Sequence, residues 1–237
     1  MSLEVSELHV GYATAQVLHG VNFSIDSGET VALLGRNGMG KSTLVRAICS
    51  LHPPHISAGS VKFRGKDITH KPSFEISRAG IAVVPQGRRV FGSLTTYENL
   101  TVVPQRRAED GQGWSLERVF DFFPRLAERQ KSFARSLSGG EQQMLSIARA
   151  LMTNPDLLIM DEPSEGLAPS ILDVIQDRIS ELRGSGLAVL IAEQNVDFAL
   201  EMADRVITID ETGTIPWSGK PSDLRADESL LEKYLSI

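Results

Sequence analysis

The chain has one cysteine, Cys49, among 237 residues, so an intrachain disulfide and a thiolate-built zinc site are both excluded. Cys49 is expected to be a plain packed thiol. The five histidines, His9, His19, His52, His55 and His70, include no pair four residues apart and have no cysteine partner, so metal ligation through imidazole is not expected. His52 and His55 flank two prolines and are expected in a solvated loop. Long apolar runs are also missing. No stretch approaches the roughly 20 residues that span a bilayer, and runs such as Leu187 to Ala192 suit buried strands. The start, MSLEVSELHV, has no basic segment followed by an apolar one, so nothing reads as a secretory signal and the cytoplasm is expected. There is no polybasic run either. Lys and Arg number 24 against 30 Asp and Glu, a net charge of −6, and a nucleic-acid partner is not expected.

What remains is the composition of a folded protein, 41% hydrophobic and 23% charged. At about 150 residues per domain the length allows one or two domains. The first third alternates short apolar stretches with turn residues: Leu3 to Val10, Val21 to Ile25, Thr30 to Leu34 and Val61 to Phe63 are expected strands. Leu44, Ala47, Ile48 and Leu51 follow helical spacing, which predicts a helix from Lys41 to Leu51 that ends before Pro53. Between Pro85 and Pro155 the patterning turns helical, at Trp114 to Phe123 and Glu141 to Met152, with a polar stretch, Gln105 to Gly113, ahead of the first. Beyond it the apolar runs Leu157 to Met160, Leu187 to Ala192 and Val206 to Ile209 alternate with helical segments at Pro169 to Leu182 and Val196 to Met202. Ile171, Ile175, Ile179 and Leu182 share one helical face. Strands alternating with helices predict an α/β protein with a mostly parallel sheet covered on both faces.

Gly35 to Ser42 reads GRNGMGKS, the P-loop pattern. Glycines at 35, 38 and 40 let consecutive N–H groups face phosphate oxygens, Lys41 offers an ammonium to the β and γ phosphates, and Ser42 offers a hydroxyl to Mg²⁺. The helix that follows aims its positive end at the same anion. A chance match in a chain of this length is on the order of one per cent from average residue usage. Nucleotide binding is therefore the first functional expectation. Leu157 to Glu162, LLIMDE, is an apolar strand ending in two acids. It would put Asp161 at the carboxyl end of the sheet as a Mg²⁺ ligand and Glu162 where it can orient or deprotonate an attacking water. Leu137 to Gln142, LSGGEQ, contains a capping box, Ser138 with Glu141. Capping leaves Gly139 and Gly140 unexplained unless a ligand approaches the backbone closely there.

GRNGMGKS, LSGGEQQ and LLIMDEP, in that order and with Gln86 between the first two, make the whole chain resemble an ATP-binding cassette (ABC) ATPase. VPQGRRVF, LTTYENL, EPSEGLAP, AEQN and the ending Lys233-Tyr234-Leu235 are similar to the ATPase subunits of bacterial branched-chain amino acid importers and their amide and urea relatives. The resemblance implies an ABC-type P-loop NTPase fold. Its parallel core carries an N-terminal antiparallel β part, with residues 1–86 and 154–237 forming the nucleotide-binding core and 87–153 a helical insertion. It implies ATP and Mg²⁺ as cofactors, with the nucleotide touched by Tyr12, Gly35, Arg36, Asn37, Gly38, Met39, Gly40, Lys41, Ser42 and Thr43. Ser138, Gly139, Gly140 and Glu141 would face a nucleotide held by a second ATPase subunit. Ser42, Gln86 and Asp161 would serve the metal, and Glu162, Gln86 and Gln194 the reaction. The implied partners are integral membrane permease subunits and, indirectly, a solute-binding protein, with the chain peripheral on the inner face of the membrane.

Two positions depart from the wider family. Gln194 stands where most members have a histidine; an amide can donate to a phosphate but does not titrate near neutral pH. Ala168 stands where an aspartate is common. These departures keep a hydrolysis-silent nucleotide-binding module open as an alternative, beside a non-transport ABC-type ATPase, while the intact Glu162 favours hydrolysis.

Overall fold

A computed structural model describes residues 2–106, 113–182 and 184–235, and the side chains of these except Glu228, Lys233, Tyr234 and Leu235. The polar stretch expected between residues 105 and 113 therefore lies mostly outside the described residues. In chain order the elements are β1 (Leu3–Tyr12), β2 (Ala15–Ile25), β3 (Thr30–Leu34), α1 (Lys41–Ile48), β4 (His55–Phe63), β5 (Lys66–Asp67), α2 (Ser73–Ala79) and β6 (Ile81–Val84). Next come α3 (Thr96–Thr101), α4 (Leu116–Phe122), α5 (Pro124–Glu128), α6 (Gly139–Leu151), β7 (Leu157–Asp161) and α7 (Pro169–Glu181). The chain then runs through β8 (Ala188–Glu193), α8 (Val196–Met202), β9 (Arg205–Thr208), β10 (Trp217–Gly219), α9 (Pro221–Ala226) and α10 (Glu228–Leu235).

Two sheets form. One is antiparallel, in the order β2-β1-β4-β5, and the other runs β10-β9-β3-β8-β7-β6. In the second, β9, β3, β8, β7 and β6 are mutually parallel and β10 is antiparallel on the edge. Every residue of β3, β7 and β8 is buried, which is why these strands read as unbroken apolar runs without alternation. Helix α1 lies between the sheets: Leu44, Val45 and Ile48 join a core with Leu8 and Val10 of β1, Ile159 of β7 and Leu190 of β8. Leu44 and Ile48 are fully buried and each contributes roughly 1.5–3 kcal/mol. A second core joins α6 and α7 to β6 and β7 through Leu145, Ala148, Ile175 and Ile179, and a third packs α8 on β3 and β9.

Several expectations change in detail. Helix α1 stops at Ile48, because Ser50 adopts a left-handed φ of 51° and turns the chain three residues before Pro53. The strand expected at Val61 starts at His55, since Gly11 of β1 pairs with His55 and draws the mostly exposed residues 55–60 into the sheet. His55 is thus an exposed strand residue, while His52 stays in the preceding loop. Cys49 is buried, and desolvation, aided by the charge of Asp161, pushes its thiol up to about 12. Among the described residues no helix is long and apolar enough to cross a membrane.

Candidate active site

Because β3, β6, β7 and β8 are parallel neighbours, the loops leaving their carboxyl ends open on one edge of the sheet, the usual ligand crevice of open α/β folds. The four loops carry Gly35–Gly40, Gln86, Glu162 and Gln194, so residues far apart in sequence meet there. Lys41 is 3% exposed, and its ammonium donates to the carbonyls of Gly35 at 2.8 Å and Arg36 at 3.1 Å. It also lies 3.3 Å from Oε1 of Glu162. The other oxygen, Oε2, accepts from the Gln86 amide at 3.1 Å. Glu162 itself has a left-handed φ of 48°, a conformation that costs a non-glycine residue and is concentrated at functional sites.

Ser42 Oγ donates to Asp161 Oδ1 at 2.9 Å. Burial raises the Asp161 carboxyl to about 6, with the Ser42 bond and Lys41 opposing and Glu162 reinforcing the shift. A hydroxyl, a carboxylate and a nearby amide form an all-oxygen donor set that suits Mg²⁺ shared with phosphates. Among the described residues no group of three His, Cys, Asp or Glu could hold a metal by itself. The N-terminus of α1 fits an anion: Gly40 occupies the cap at φ 103°, no side chain caps the helix, and no acid lies in its first turn. The uncapped donors suit an anion, and the carboxylates of Asp161 and Glu162 lie beside them.

The sequence profile of the ABC transporter family matches residues 18–165. The chain belongs to that family. The cassette is 41% identical, over 98% of its length and 99% of the relative's, to the high-affinity branched-chain amino acid transport ATP-binding protein BraG of Pseudomonas aeruginosa. It is 34% identical over 99% of its length and 97% of the relative's to the lipopolysaccharide export system ATP-binding protein LptB of Escherichia coli. Among solved structures it superposes on the ADP conformation of the ATP-binding cassette MJ1267 with a TM-score of 0.83 at 29% identity, covering 100% of this chain and 99% of that one. The cassette is accordingly an ATPase of the ABC type and the ATP-binding subunit of a transporter.

The remaining residues of the cassette divide into those the fold gathers and those it does not. Tyr12 donates to or accepts from Thr43 Oγ1 at 3.3 Å, so the end of β1 is tied to α1. Arg36, Asn37 and Gly38 are exposed at the tip of the loop, where the Arg36 guanidinium reaches the Glu232 carbonyl, and Met39 packs partly on the core. Gln194 is exposed, its backbone N–H bonded to Glu193. Ser138 and Glu141 form the expected capping box: Glu141 N donates to Ser138 Oγ at 3.3 Å, and Ser138 N to Glu141 Oε2 at 2.7 Å.

The two glycines beside that box also have neighbours within this chain. A β-carbon on Gly140 would lie 2.7 Å from Ile171 Cγ2 of α7, and one on Gly139 would meet the end of Arg88. Packing inside the subunit thus already demands Gly140, whereas Gly139 meets only a movable side-chain end. Two further residues escaped the sequence reading. Arg88 links the Gln86 loop to the main-chain carbonyls of Glu165 at 3.3 Å and Gly166 at 2.7 Å. Glu193, 1% exposed, accepts from three backbone amides. The pattern that flagged Asp161, an acid closing a buried apolar strand, recurs at Glu193 and could have found it.

Proposed function

We propose that the cassette holds Mg-ATP between its own P-loop and the Ser138–Glu141 segment of a second ATPase subunit. In this reading the backbone of Gly35, Gly38 and Gly40 and the side chain of Lys41 bind the phosphates, Thr43 and Tyr12 support the base end, and Ser42, Asp161 and Gln86 hold Mg²⁺ when it is bound. The metal would neutralise phosphate charge. Glu162 takes the proton of the attacking water and Gln194 donates to the γ-phosphate. The single observation behind this reading is the doubly held Glu162 carboxylate, with Lys41 at 3.3 Å on one oxygen and Gln86 at 3.1 Å on the other. A base, a phosphate-binding cation and the loop from β6 are thereby joined in one contact.

Docking to a permease is supported by a groove of about 340 Å³ between α2, β6 and α6, lined by Phe74, Ile76, Val83, Val103, Arg149 and Ala150. Phe74 is 57% exposed, and Arg149 stacks at 4.7 Å on Phe91, itself 50% exposed, so apolar surface continues past the groove. We assign the groove to a permease segment on the cytoplasmic side of the membrane, with residues 87–153 as the receiving helical part and 1–86 and 154–237 as the nucleotide-binding core. Full-length similarity to the Pseudomonas protein supports branched-chain amino acids or related amino acids and amides as the solute, with a solute-binding protein acting through the permease.

Light scattering on the Glu162→Gln protein tests the shared site. A shift from monomer to dimer that requires Mg-ATP is expected; a monomer at saturating Mg-ATP would refute self-pairing.

A further inference from the structure

Strands β7 and β8 end in register, Asp161 beside Ala192, and the main-chain N–H of Glu162 donates to the Ala192 carbonyl at 2.8 Å. Beyond that rung the two loops diverge, and the Glu193 side chain bridges them. Oε1 accepts from the N–H of Ser164 at 2.9 Å, while Oε2 accepts from the N–H groups of Gln194 and Asn195, both at 3.0 Å. Asn195 in turn caps α8 by accepting from Phe198 N at 3.1 Å. A carboxylate as buried as this one is costly unless its charge is met by donors, and here three backbone amides meet it. An amide of the same shape has a single acceptor oxygen, so it could serve one loop but would turn an N–H₂ toward the other's N–H.

We propose that Glu193 is a positioning residue whose carboxylate extends the β7–β8 ladder past the strand ends and holds the Glu162 loop and the Gln194 loop as one unit. This rests on the assignment of Glu162 and Gln194 to the reaction. Its consequence is that the water-activating residue and the residue facing the γ-phosphate shift together, so hydrolysis depends on Glu193 although it touches no nucleotide. The left-handed backbone at Glu162 needs such support, because only a rigid surround keeps a non-glycine residue there.

The test compares the full-length protein with its Glu193→Gln and Glu193→Asp variants by amide hydrogen exchange and steady-state ATPase kinetics. Glu193→Gln is expected to speed exchange by about tenfold or more on the loop its oxygen no longer serves, at Ser164 or at Gln194 and Asn195, as for loss of a charged acceptor. It is also expected to lower kcat by about tenfold while KM for ATP stays within about twofold. Glu193→Asp keeps both acceptor oxygens and should recover part of kcat, and it serves if the Gln variant does not fold. Unchanged exchange at the three amides, or faster exchange with kcat unaltered, overturns the proposal. So does faster exchange throughout β7 and β8 with kcat and KM both impaired, the mark of general destabilisation. Glu162→Gln is the control. Were it to turn over normally, the assignment of Glu162 would fail while the exchange result still reported on Glu193.

Discussion

Helices α1 and α6 each start at a glycine-rich segment, yet their N-termini are finished in opposite ways. At α1 the cap is Gly40, with no side-chain acceptor and no acid in the first turn, and Lys41 adds a positive charge. At α6 the cap is Ser138, reciprocally bonded to Glu141. Desolvation pushes the Glu141 carboxyl up, but its bonds to Ser138 and the neighbouring Arg129 outweigh that and hold it below the usual range. The first terminus leaves its N–H groups and helix dipole to an incoming anion. The second has spent part of the same capacity on its own carboxylate. A helix start that is already partly neutralised is expected to bind phosphate weakly by itself, which agrees with the proposed placing of this segment over a triphosphate anchored on another subunit.

The contrast can be broken by experiment, and the largest expected effect lies beside α1. Glu162→Gln should lower phosphate release by about 10²–10⁴-fold, the range for loss of a general base, with ATP affinity retained. Normal turnover would remove Glu162 from the chemistry. Next, Lys41→Ala should weaken ATP binding to the isolated subunit by about 1.5–3 kcal/mol, as for a hydrogen bond to a charged group. Ser138→Ala should leave that affinity unchanged. Equal losses in a fluorescent-nucleotide titration would show that the two termini do not differ.

Smaller effects sharpen the picture around α6. Gly140→Ala forces a β-carbon against Ile171 and should cost about 1–3 kcal/mol in urea unfolding. Gly139→Ala should cost less, because the atoms it meets are the movable end of Arg88. The subtlest is a pH slope. The Asp161 pKa is raised from 3.8 to about 6, so between those values the folded protein holds a proton that the unfolded chain releases. Its contribution to stability is present below 3.8 and is lost as pH rises through about 6. In melts without nucleotide or Mg²⁺, Asp161→Asn should therefore gain on the native protein from pH 4 to pH 7. Parallel curves would refute the shift.

Much of this was legible in the sequence because it depends on near neighbours. GRNGMGKS announces its own loop and helix, and Ser138 with Glu141 announces a cap, since the bonds close within three residues. Thr95 and Glu98 form an equally local capping box at α3, readable by the same rule. Distant contacts were not legible. The amide that Glu193 bridges to on the other loop is 29 residues away, and the clash that preserves Gly140 comes from a different helix. The early start of β4 is set by its register with β1, which residues 55–60 do not encode alone.

The contact between Lys41 and Glu162 has a consequence for timing. A single ammonium cannot neutralise the carboxylate and a γ-phosphate equally well at once. In the proposed reading, a triphosphate that draws Lys41 toward it takes that ammonium away from the Glu162 carboxylate. One cation would thus serve two tasks in turn, holding the carboxylate in the empty site and the phosphates in the filled one, so the proposed water-activating residue is released only as nucleotide is seated.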